Sequence, residues 1–294
     1  MGLLNTLRFV VGHPLNRGRP IRSLYRFGAW QVRSRVSSSP VAVDFAGGTR
    51  LLVSRGQTGA TGNVYTGLHE FGEMAFVLHV LRPDDLFVDV GANVGSYTIL
   101  AAGAVGARCV SFEPDPDTME SLQRNVLANS LDSRVELRQT VVGRSEGIAQ
   151  FTSGADTLNH VADGSDAGAV PTQMTTLDTA LEGRSPQVLK IDVEGYESEV
   201  IAGAAKTLES REIIAVIMET NGSGSRYGVS DAELHRAMIE YEFVPCSYDP
   251  FARSLTQHTQ PVSGGNTIYV KDRAQAMARV ETASSYDIAG RARI

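Results

Sequence analysis

Residues 87–98 have the sequence Phe87-Val88-Asp89-Val90-Gly91-Ala92-Asn93-Val94-Gly95-Ser96-Tyr97-Thr98, and this stretch decides the fold. It begins as a short apolar run, passes through two glycines four residues apart and continues into a helix-like run. A buried strand followed by a glycine-bearing turn and a helix start brings the backbone close to a polar ligand. The stretch therefore predicts a ligand site at the carboxyl end of a strand.

A second strand, Val110-Ser111-Phe112, ends in Glu113, 22 residues after Gly91. An acid about 20 residues beyond a glycine turn, at the end of the next parallel strand, can accept hydrogen bonds from the hydroxyls of a ribose. The two signals together predict an enzyme that uses a cofactor containing adenosine.

The glycine spacing separates the candidate cofactors. A dinucleotide site has the pattern G-x-G-x-x-G, and a phosphate-binding P-loop ends in G-K-[ST]. Neither pattern is present, because only Gly91 and Gly95 flank the turn and Ser96 follows it. Asp89, directly before the turn, repels phosphates and suits the ammonium group of S-adenosylmethionine (SAM). The turn favours SAM over NAD.

Four motifs lie in a fixed order along the chain: Asp89-Val90-Gly91-Ala92-Asn93-Val94-Gly95, Phe112-Glu113-Pro114, Thr176-Leu177-Asp178 and Lys190-Ile191-Asp192-Val193-Glu194-Gly195-Tyr196-Glu197. In order and spacing they resemble the FkbM family of SAM-dependent methyltransferases, over roughly residues 65–220. The resemblance implies the class I methyltransferase fold, which is Rossmann-like. It also implies transfer of a methyl group from SAM to a hydroxyl of a sugar, glycan, glycolipid or secondary metabolite.

The alternation of apolar strands and amphipathic helices predicts the rest of the fold. Strands are expected at 86–90, 109–112, 135–142, 188–193 and 213–219. This alternation predicts an α/β fold with a doubly wound, mostly parallel sheet. Two last strands, 243–248 and 267–270, have no helix between them, which predicts an antiparallel hairpin at the sheet edge.

The chain divides into three predicted parts, which are a basic N-terminal arm at 1–40, the SAM-dependent methyltransferase domain at 41–272 and a C-terminal tail at 273–294. The tail is expected to be a frayed helix followed by disorder. Within the domain we expect a hairpin and a helix at 41–82, separated by a glycine-rich loop at 58–67, and an inserted β-pair at 144–178. The loop inside that pair is the candidate substrate lid.

Composition limits the class of protein and its partners. With 42% hydrophobic residues the chain can bury a full core. Cys109 and Cys246 supply neither a disulfide framework nor a metal cluster, which favours a reducing compartment. A net charge of -6 argues against a nucleic-acid partner. We expect a cytoplasmic enzyme, and the family resemblance implies that its partner is a small hydroxylated, carbohydrate-like acceptor.

The N-terminal arm departs from this acidic character. Residues 1–43 contain no acid and seven arginines: Arg8, Arg17, Arg19, Arg22, Arg26, Arg33 and Arg35. Two apolar faces accompany them, one formed by Leu3, Leu4, Leu7, Val10 and Val11 and the other by Leu24, Phe27 and Trp30. A basic amphipathic arm can lie on an anionic membrane surface. The alternative is a helical arm that packs on the domain or on a second subunit of a homo-oligomer.

Ligands of open α/β sheets bind beyond the carboxyl ends of the strands, and this rule selects the residues predicted to bind SAM. They are Asp89 and Asn93 at the methionine end, Gly91 and Gly95 where the backbone approaches, Glu113 at the ribose, and Tyr97 and Asp192 beside the methyl group.

Methyl transfer to a hydroxyl also needs a group that takes up the hydroxyl proton. The two-residue period of a strand places Lys190, Asp192 and Glu194 on one side of strand 188–193. We predict that Lys190 pairs with a neighbouring acid and that Asp192 serves the reaction.

Two further ways to activate the acceptor hydroxyl stay open, a bound metal ion and a histidine base. Asp192, Glu219 and Asn221 occupy positions similar to the Mg²⁺ ligands of catechol-type O-methyltransferases, although Thr220 separates the last two. Glu219 is on this account a catalytic candidate as well. His160, in the candidate lid, is the histidine that can act as a base.

Two other functions share part of this pattern. An NAD-dependent oxidoreductase or epimerase has the same strand, turn and ribose acid, but it is disfavoured by the missing G-x-G-x-x-G. A non-catalytic scaffold that keeps a SAM pocket is the third hypothesis.

Overall fold

The computed structural model of this chain describes residues 2–152, 159–162, 166, 168–262 and 264–294. Its helices are α1 (Leu3–Gly12), α2 (Pro20–Val36), α3 (Thr58–Thr66), α4 (Phe71–Val80), α5 (Ser96–Ile99), α6 (Pro116–Ala128), α7 (Leu177–Leu181), α8 (Glu197–Ala202), α9 (Ala205–Glu209), α10 (Asp231–Glu240) and α11 (Arg273–Glu281). Helix α5 continues as π-helical turns through Leu100–Val105, and 3₁₀ turns lie at Pro14–Asn16 and Ser223–Tyr227.

The strands are β1 (Val41–Asp44), β2 (Arg50–Val53), β3 (Leu86–Val90), β4 (Arg108–Phe112), β5 (Val135–Arg138), β6 (Val141–Val142), β7 (Gly147–Phe151), β8 (Val170–Thr175), β9 (Val188–Ile191), β10 (Ala215–Thr220), β11 (Val244–Asp249), β12 (Ser254–Gln257), β13 (Gly265–Val270), β14 (Asp287–Ile288) and β15 (Ala292–Arg293). Eight of them form the central sheet, in the order β12-β11-β13-β10-β9-β3-β4-β5.

The central sheet confirms the predicted fold class. The strand pairs β10–β9, β9–β3, β3–β4 and β4–β5 are parallel. Strand β13 runs antiparallel to both β10 and β11, and the β11–β12 hairpin closes one edge. The predicted N-terminal hairpin is present as β1 and β2. The inserted pair is present as β7 and β8, and β6 adds a third strand to it.

Helices cover both faces of this sheet. Successive strand residues point to opposite faces, so Phe87 lies in one hydrophobic core and Val88 in the other. The first core includes residues of α4, α6 and α11, and the second includes residues of α7, α8, α9 and α10. Burial on both faces explains why the strands have continuous apolar sequences.

Two segments are more ordered than the sequence predicts. The prediction of a glycine-rich loop at 58–67 is wrong, because α3 forms there and buries Ala60 and Tyr65. Tertiary packing overrides the weak helix propensity of glycine and threonine. The disorder expected in the tail is also wrong. Helix α11 and the β14–β15 pair bury Val280 and Ile288, and Arg279 forms an ion pair with Asp85 of the domain.

Two strand predictions need correction. The strand expected at 135–142 is two strands, because the chain leaves the central sheet after Arg138 and pairs Val141 with Met174 of the inserted sheet. The Thr140 hydroxyl fixes this bend by donating to the Gln173 carbonyl at 2.8 Å. Strand β12, which lies between the two strands expected at the end of the sheet, was not predicted from the sequence.

The N-terminal arm is helical and packs on the domain. Val10 and Trp30, both assigned to its apolar faces, are buried. The Asn16 side chain donates to the Tyr65 carbonyl at 3.1 Å, and the Gln31 amide donates to the Tyr65 hydroxyl at 2.6 Å. None of the helices in the described part of the chain combines the length and the apolar character needed to span a bilayer.

Candidate active site

A cavity of about 300 Å³ lies where the carboxyl ends of the parallel strands meet. Its floor is formed by residues that follow β3, β4 and β9, and one wall comes from α3 and from the residues just before α4. Phe151 of β7 and Val161, from the segment between β7 and β8, contribute to another wall. The cavity lies at the sheet edge where the sequence predicts a ligand site, and its volume is typical of small-molecule sites.

The glycine turn packs tightly against the end of β9. Gly91 has φ 80°, and a Cβ placed there would lie 1.8 Å from the Asp192 carbonyl oxygen. The Gly91 and Ala92 amides donate to the Phe112 carbonyl at 3.0 and 2.9 Å. A side chain at position 91 is therefore excluded by conformation and by space. The turn holds the backbone of Asp192 next to the floor of the cavity.

Glu113 lies at the end of β4 as the sequence predicts, with little solvent exposure. Its two carboxylate oxygens accept from the backbone amides of Asn93 at 2.9 Å and Asp115 at 3.0 Å. Burial raises the pKa of this carboxyl to about 7. Each carboxylate oxygen has a further lone pair, so Glu113 can also accept from ligand hydroxyls while it fixes the turn.

Asp89 and Tyr97 form the inner part of the cavity. Asp89 is buried, accepts from the Thr98 hydroxyl at 2.7 Å, and has its pKa raised to about 6 by burial. The Tyr97 hydroxyl donates to Glu70 at 2.6 Å. The Lys190 ammonium lies 4.8 Å from the centre of the Tyr97 ring. The two predicted SAM residues thus flank a buried cation.

The pairing predicted for Lys190 is confirmed. Its ammonium lies 2.5 Å from a carboxylate oxygen of Asp192, and the lysine side chain is 3% exposed. Burial opposes the charge, but Asp192, Glu70 and Asp89 outweigh it and raise the pKa of Lys190. The lysine is therefore a fixed positive charge beside Asp192.

Asp192 lies in a group of three carboxylates. Single oxygens of Asp192, Glu194 and Glu219 all lie within 4.8 Å of one another. Burial, and then the negative neighbours, raise the pKa of Glu219 to about 9 and that of Glu194 to about 7. One Glu219 oxygen is buried without a hydrogen-bond partner among the described residues. Oxygen donors of this kind suit a proton, a hydroxyl group or a hard cation such as Mg²⁺.

Two predicted site residues lie outside the cavity lining. Asn221 is exposed, and its carbonyl oxygen accepts from the Ser223 amide at 2.8 Å, so Glu194 takes the third place in the carboxylate group. His160 interacts instead with Asp166, at 3.1 Å. The residues of the candidate lid at 153–158, 163–165 and 167 lie outside the described residues.

Glu70 lines the cavity, although it was not predicted from the sequence. Glu70 accepts from Tyr97 and from the Asn266 amide, and Asn266 belongs to the distant strand β13. His69, beside it, also lines the cavity, and burial lowers its pKa. Both precede α4 and reach the cavity only through tertiary packing, so no spacing in the sequence indicates them.

The raised pKa of Glu219 gives a testable dependence of stability on pH. The unfolded chain ionises Glu219 near its ordinary value of 4.5, whereas the folded chain keeps the proton up to about pH 9. The folded state therefore binds more protons in this window, and this group lowers stability as pH rises. Glu219→Gln keeps the neutral form. We expect its melting temperature, relative to the unmodified protein, to rise by several degrees between about pH 5 and pH 8.

The measurement is thermal unfolding in buffers that contain EDTA. Glu240→Gln, at the exposed end of α10, is the matched control and should show no such trend. A difference in melting temperature that stays flat for Glu219→Gln would refute the raised pKa. The test depends on how the difference in melting temperature changes with pH, so an effect of the substitution on packing that is the same at every pH does not alter the result.

Residues 89–245, just over half of the chain, match the family described as the methyltransferase FkbM domain. The chain is 28% identical over 143 residues to the hexuronic acid methyltransferase AglP of Haloferax volcanii, which covers 48% of this chain and 58% of that protein. It is 26% identical to the 31-O-demethyl-FK506 methyltransferase FkbM of Streptomyces tacrolimicus, over 49% of this chain and 69% of that protein. The chain thus spans less than two thirds of the length of AglP.

Among solved structures, the precorrin-6y C5,15-methyltransferase of Geobacter metallireducens GS-15 aligns with a TM-score of 0.42 and 13% identity. The alignment covers 70% of this chain and 89% of that chain.

Proposed function

We propose, from the premise that this chain belongs to the methyltransferase FkbM domain family, that it transfers a methyl group from SAM to a hydroxyl of a carbohydrate-like acceptor. The match to residues 89–245 includes all four sequence motifs and confirms the family resemblance. Methyl transfer, SAM as donor and oxygen as acceptor are the proposed part. One observation carries it: the group Asp192, Glu194 and Glu219 lies in the same cavity as the glycine turn and Glu113.

The residues around the turn fit SAM. Gly91 leaves no room for a Cβ, so the turn packs directly against the Asp192 carbonyl, and Gly91 itself lines the cavity. Glu113 can accept from the ribose hydroxyls, and Asp89 offers a negative charge to the ammonium group. Tyr97 lies over Lys190 at the inner end. When bound, SAM supplies an electrophilic methyl group, whose bond to sulfur breaks as its bond to the acceptor oxygen forms.

The three neighbouring carboxylates, Asp192, Glu194 and Glu219, provide the groups that can take up or donate a proton. A neutral hydroxyl is a poor nucleophile, so its proton has to pass to a base as the new bond forms. Asp192 accepts that proton in our proposal, and the Lys190 charge fixes its position. Glu219 holds its own proton at neutral pH, because its pKa is about 9, and can donate a hydrogen bond to another acceptor hydroxyl. A hard cation, as the alternative, would have Asp192, Glu194 and Glu219 as its protein ligands.

The acceptor class rests on the relatives as well as on the site. AglP is named for a hexuronic acid and the Streptomyces protein for a hydroxyl of FK506, so both names point to oxygen-rich acceptors. The cavity offers several carboxyl groups within reach of one another, which can each bind one hydroxyl of a polyol. A sugar hydroxyl is the acceptor that both observations support.

The test has two stages with the purified protein. Calorimetric titration should show micromolar binding of SAM or S-adenosylhomocysteine and no binding of NAD. Methyl-labelled SAM is then incubated with a panel of glycosides, uronic acids and polyhydroxylated metabolites, and label in the product is located by mass spectrometry. Binding of NAD in place of SAM would make the protein an oxidoreductase or epimerase. Binding of SAM with no turnover across the panel would favour a non-catalytic scaffold.

A further inference from the structure

Helix α2 has two apolar faces, and only one of them packs on the domain. Its inner face buries Ser23, Trp30 and Ser34, and Gln31 bonds to Tyr65 of α3. The apolar face that the sequence assigns to a membrane is therefore in part the packing face, because Trp30 belongs to it. The opposite face of α2 carries a separate set of apolar residues.

We name this second set the outer stripe and define it as Ile21, Tyr25, Val32 and Val36. Their exposed fractions are 83%, 76%, 64% and 81%. Successive helical residues are about 100° apart, so these four positions fall within an arc of about 60° on one side of the helix. Single exposed apolar residues are common on proteins, but four of them aligned on one side of a helix indicate an interaction surface.

Arginines border the outer stripe. Arg22 and Arg33 follow it on one side and Arg35 on the other, and all three are exposed. The arm around them has seven arginines and no acid, whereas all 33 acids of the chain lie beyond residue 43. The partner of this surface therefore combines an apolar layer with negative charge.

We propose that the outer stripe of α2 docks on an anionic lipid bilayer. Ile21, Val32 and Val36 enter the boundary between headgroups and acyl chains, Tyr25 lies at that boundary, and the arginines contact lipid phosphates. A second copy of the chain is a poorer occupant, because two stripes face to face bring two sets of arginines together with no acid from either arm to neutralise them. This inference is independent of the methyl-transfer reaction.

The experiment is sedimentation of the full-length protein with sucrose-loaded vesicles at low salt. One vesicle set is phosphatidylcholine alone, and the other contains phosphatidylglycerol in addition. We expect binding to the anionic vesicles, weaker binding to the neutral ones, and release of bound protein at high salt.

Two variants test the stripe and its border separately. Ile21→Asp with Val32→Asp should lower the affinity for anionic vesicles at least tenfold, because charges replace the inserted residues. Arg22→Gln with Arg33→Gln should lower it by roughly tenfold or more and reduce the salt dependence. The matched control is Leu127→Asp, which changes an apolar residue of α6 that is 57% exposed, and it should bind like the unmodified protein. Unfolding curves check that each variant is folded.

Three results would overturn the proposal. The first is a full-length protein that does not sediment with anionic vesicles at low salt. The second is a stripe variant that is folded and binds these vesicles as well as Leu127→Asp does. The third is a protein that forms a dimer without vesicles and becomes monomeric in the stripe variant, measured by sedimentation velocity. That result would assign the stripe to a second copy of the chain.

Discussion

Replacement of Glu113 by alanine is expected to weaken SAM binding by about 2–4 kcal/mol, which is the effect of losing two hydrogen bonds to a charged acceptor. In terms of affinity this is roughly 30-fold to several-hundred-fold. The expectation rests on the position of Glu113 at the end of β4, inside the cavity and one strand away from the glycine turn. Titration calorimetry with SAM measures it directly.

The structure adds a second consequence of this substitution. Glu113 also accepts from the backbone amides of Asn93 in the turn and Asp115 at the start of α6, so alanine leaves both amides without this partner. Part of any loss of affinity can therefore come from a looser turn. A ligand cycle separates the two effects: S-adenosylhomocysteine and its 2′-deoxyribose analogue are both titrated into the unmodified protein and the variant.

If Glu113 binds the ribose, the unmodified protein distinguishes the two ligands and the variant does not. The affinity of the unmodified protein for SAM should also increase as pH rises through about 7, because ribose hydroxyls donate to the ionised carboxylate, whose pKa in the free protein is about 7. An equal preference for the two ligands in both proteins would remove Glu113 from the ribose site.

The predictable parts of the site are those that follow a strand directly. Asp89, Glu113 and Asp192 all come at or just after the end of an apolar run, and parallel strands bring such ends to one edge of the sheet. Gly91 was predictable for the same reason, since the turn between strand and helix leaves no space for a side chain. Local sequence and a general rule of topology were enough for these residues.

Residues that loops and long-range packing place were harder to predict. Asn221 and His160 were chosen by chain position and lie outside the cavity lining. A loop can direct a side chain to a neighbouring backbone group, as it directs Asn221 to the Ser223 amide. Glu70 was missed because it reaches the cavity from the segment before α4. The same limit applies to α2, whose sequence has two apolar faces and does not tell which one the domain covers.

Asp192→Asn is expected to lower kcat by about 100-fold or more, the usual effect of losing an acid–base group. The substitution keeps the shape of the side chain and one acceptor oxygen but removes the charge next to Lys190. Glu70 and Asp89 still act on that lysine, so the folded state keeps counter-charges for it. We therefore expect a folded variant whose affinity for SAM changes far less than its kcat, measured by calorimetry and by steady-state kinetics.

Asp178→Asn is the matched control for this change. Asp178 belongs to another of the four sequence motifs, yet its carboxylate accepts from the amides of Lys206 and Thr207 at the start of α9, outside the cavity lining. The same chemical change there should lower the melting temperature and leave kcat nearly unchanged. If both variants lose kcat to the same extent, general loss of structure explains the effect and Asp192 has no special part in the reaction.

EDTA then separates the two chemical roles that remain for Asp192. Its distance of 2.5 Å from Lys190 and its place among three carboxylates are compatible with a base and with a ligand of a hard cation. If EDTA abolishes the activity of the unmodified enzyme and Mg²⁺ restores it, Asp192 is a metal ligand. Unchanged activity in EDTA leaves the proton-transfer role. If Asp192→Asn keeps both kcat and SAM affinity, the base lies elsewhere in the cavity. His69→Gln is then the next variant, because burial lowers the pKa of His69 and keeps its imidazole neutral and able to accept a proton at pH 7.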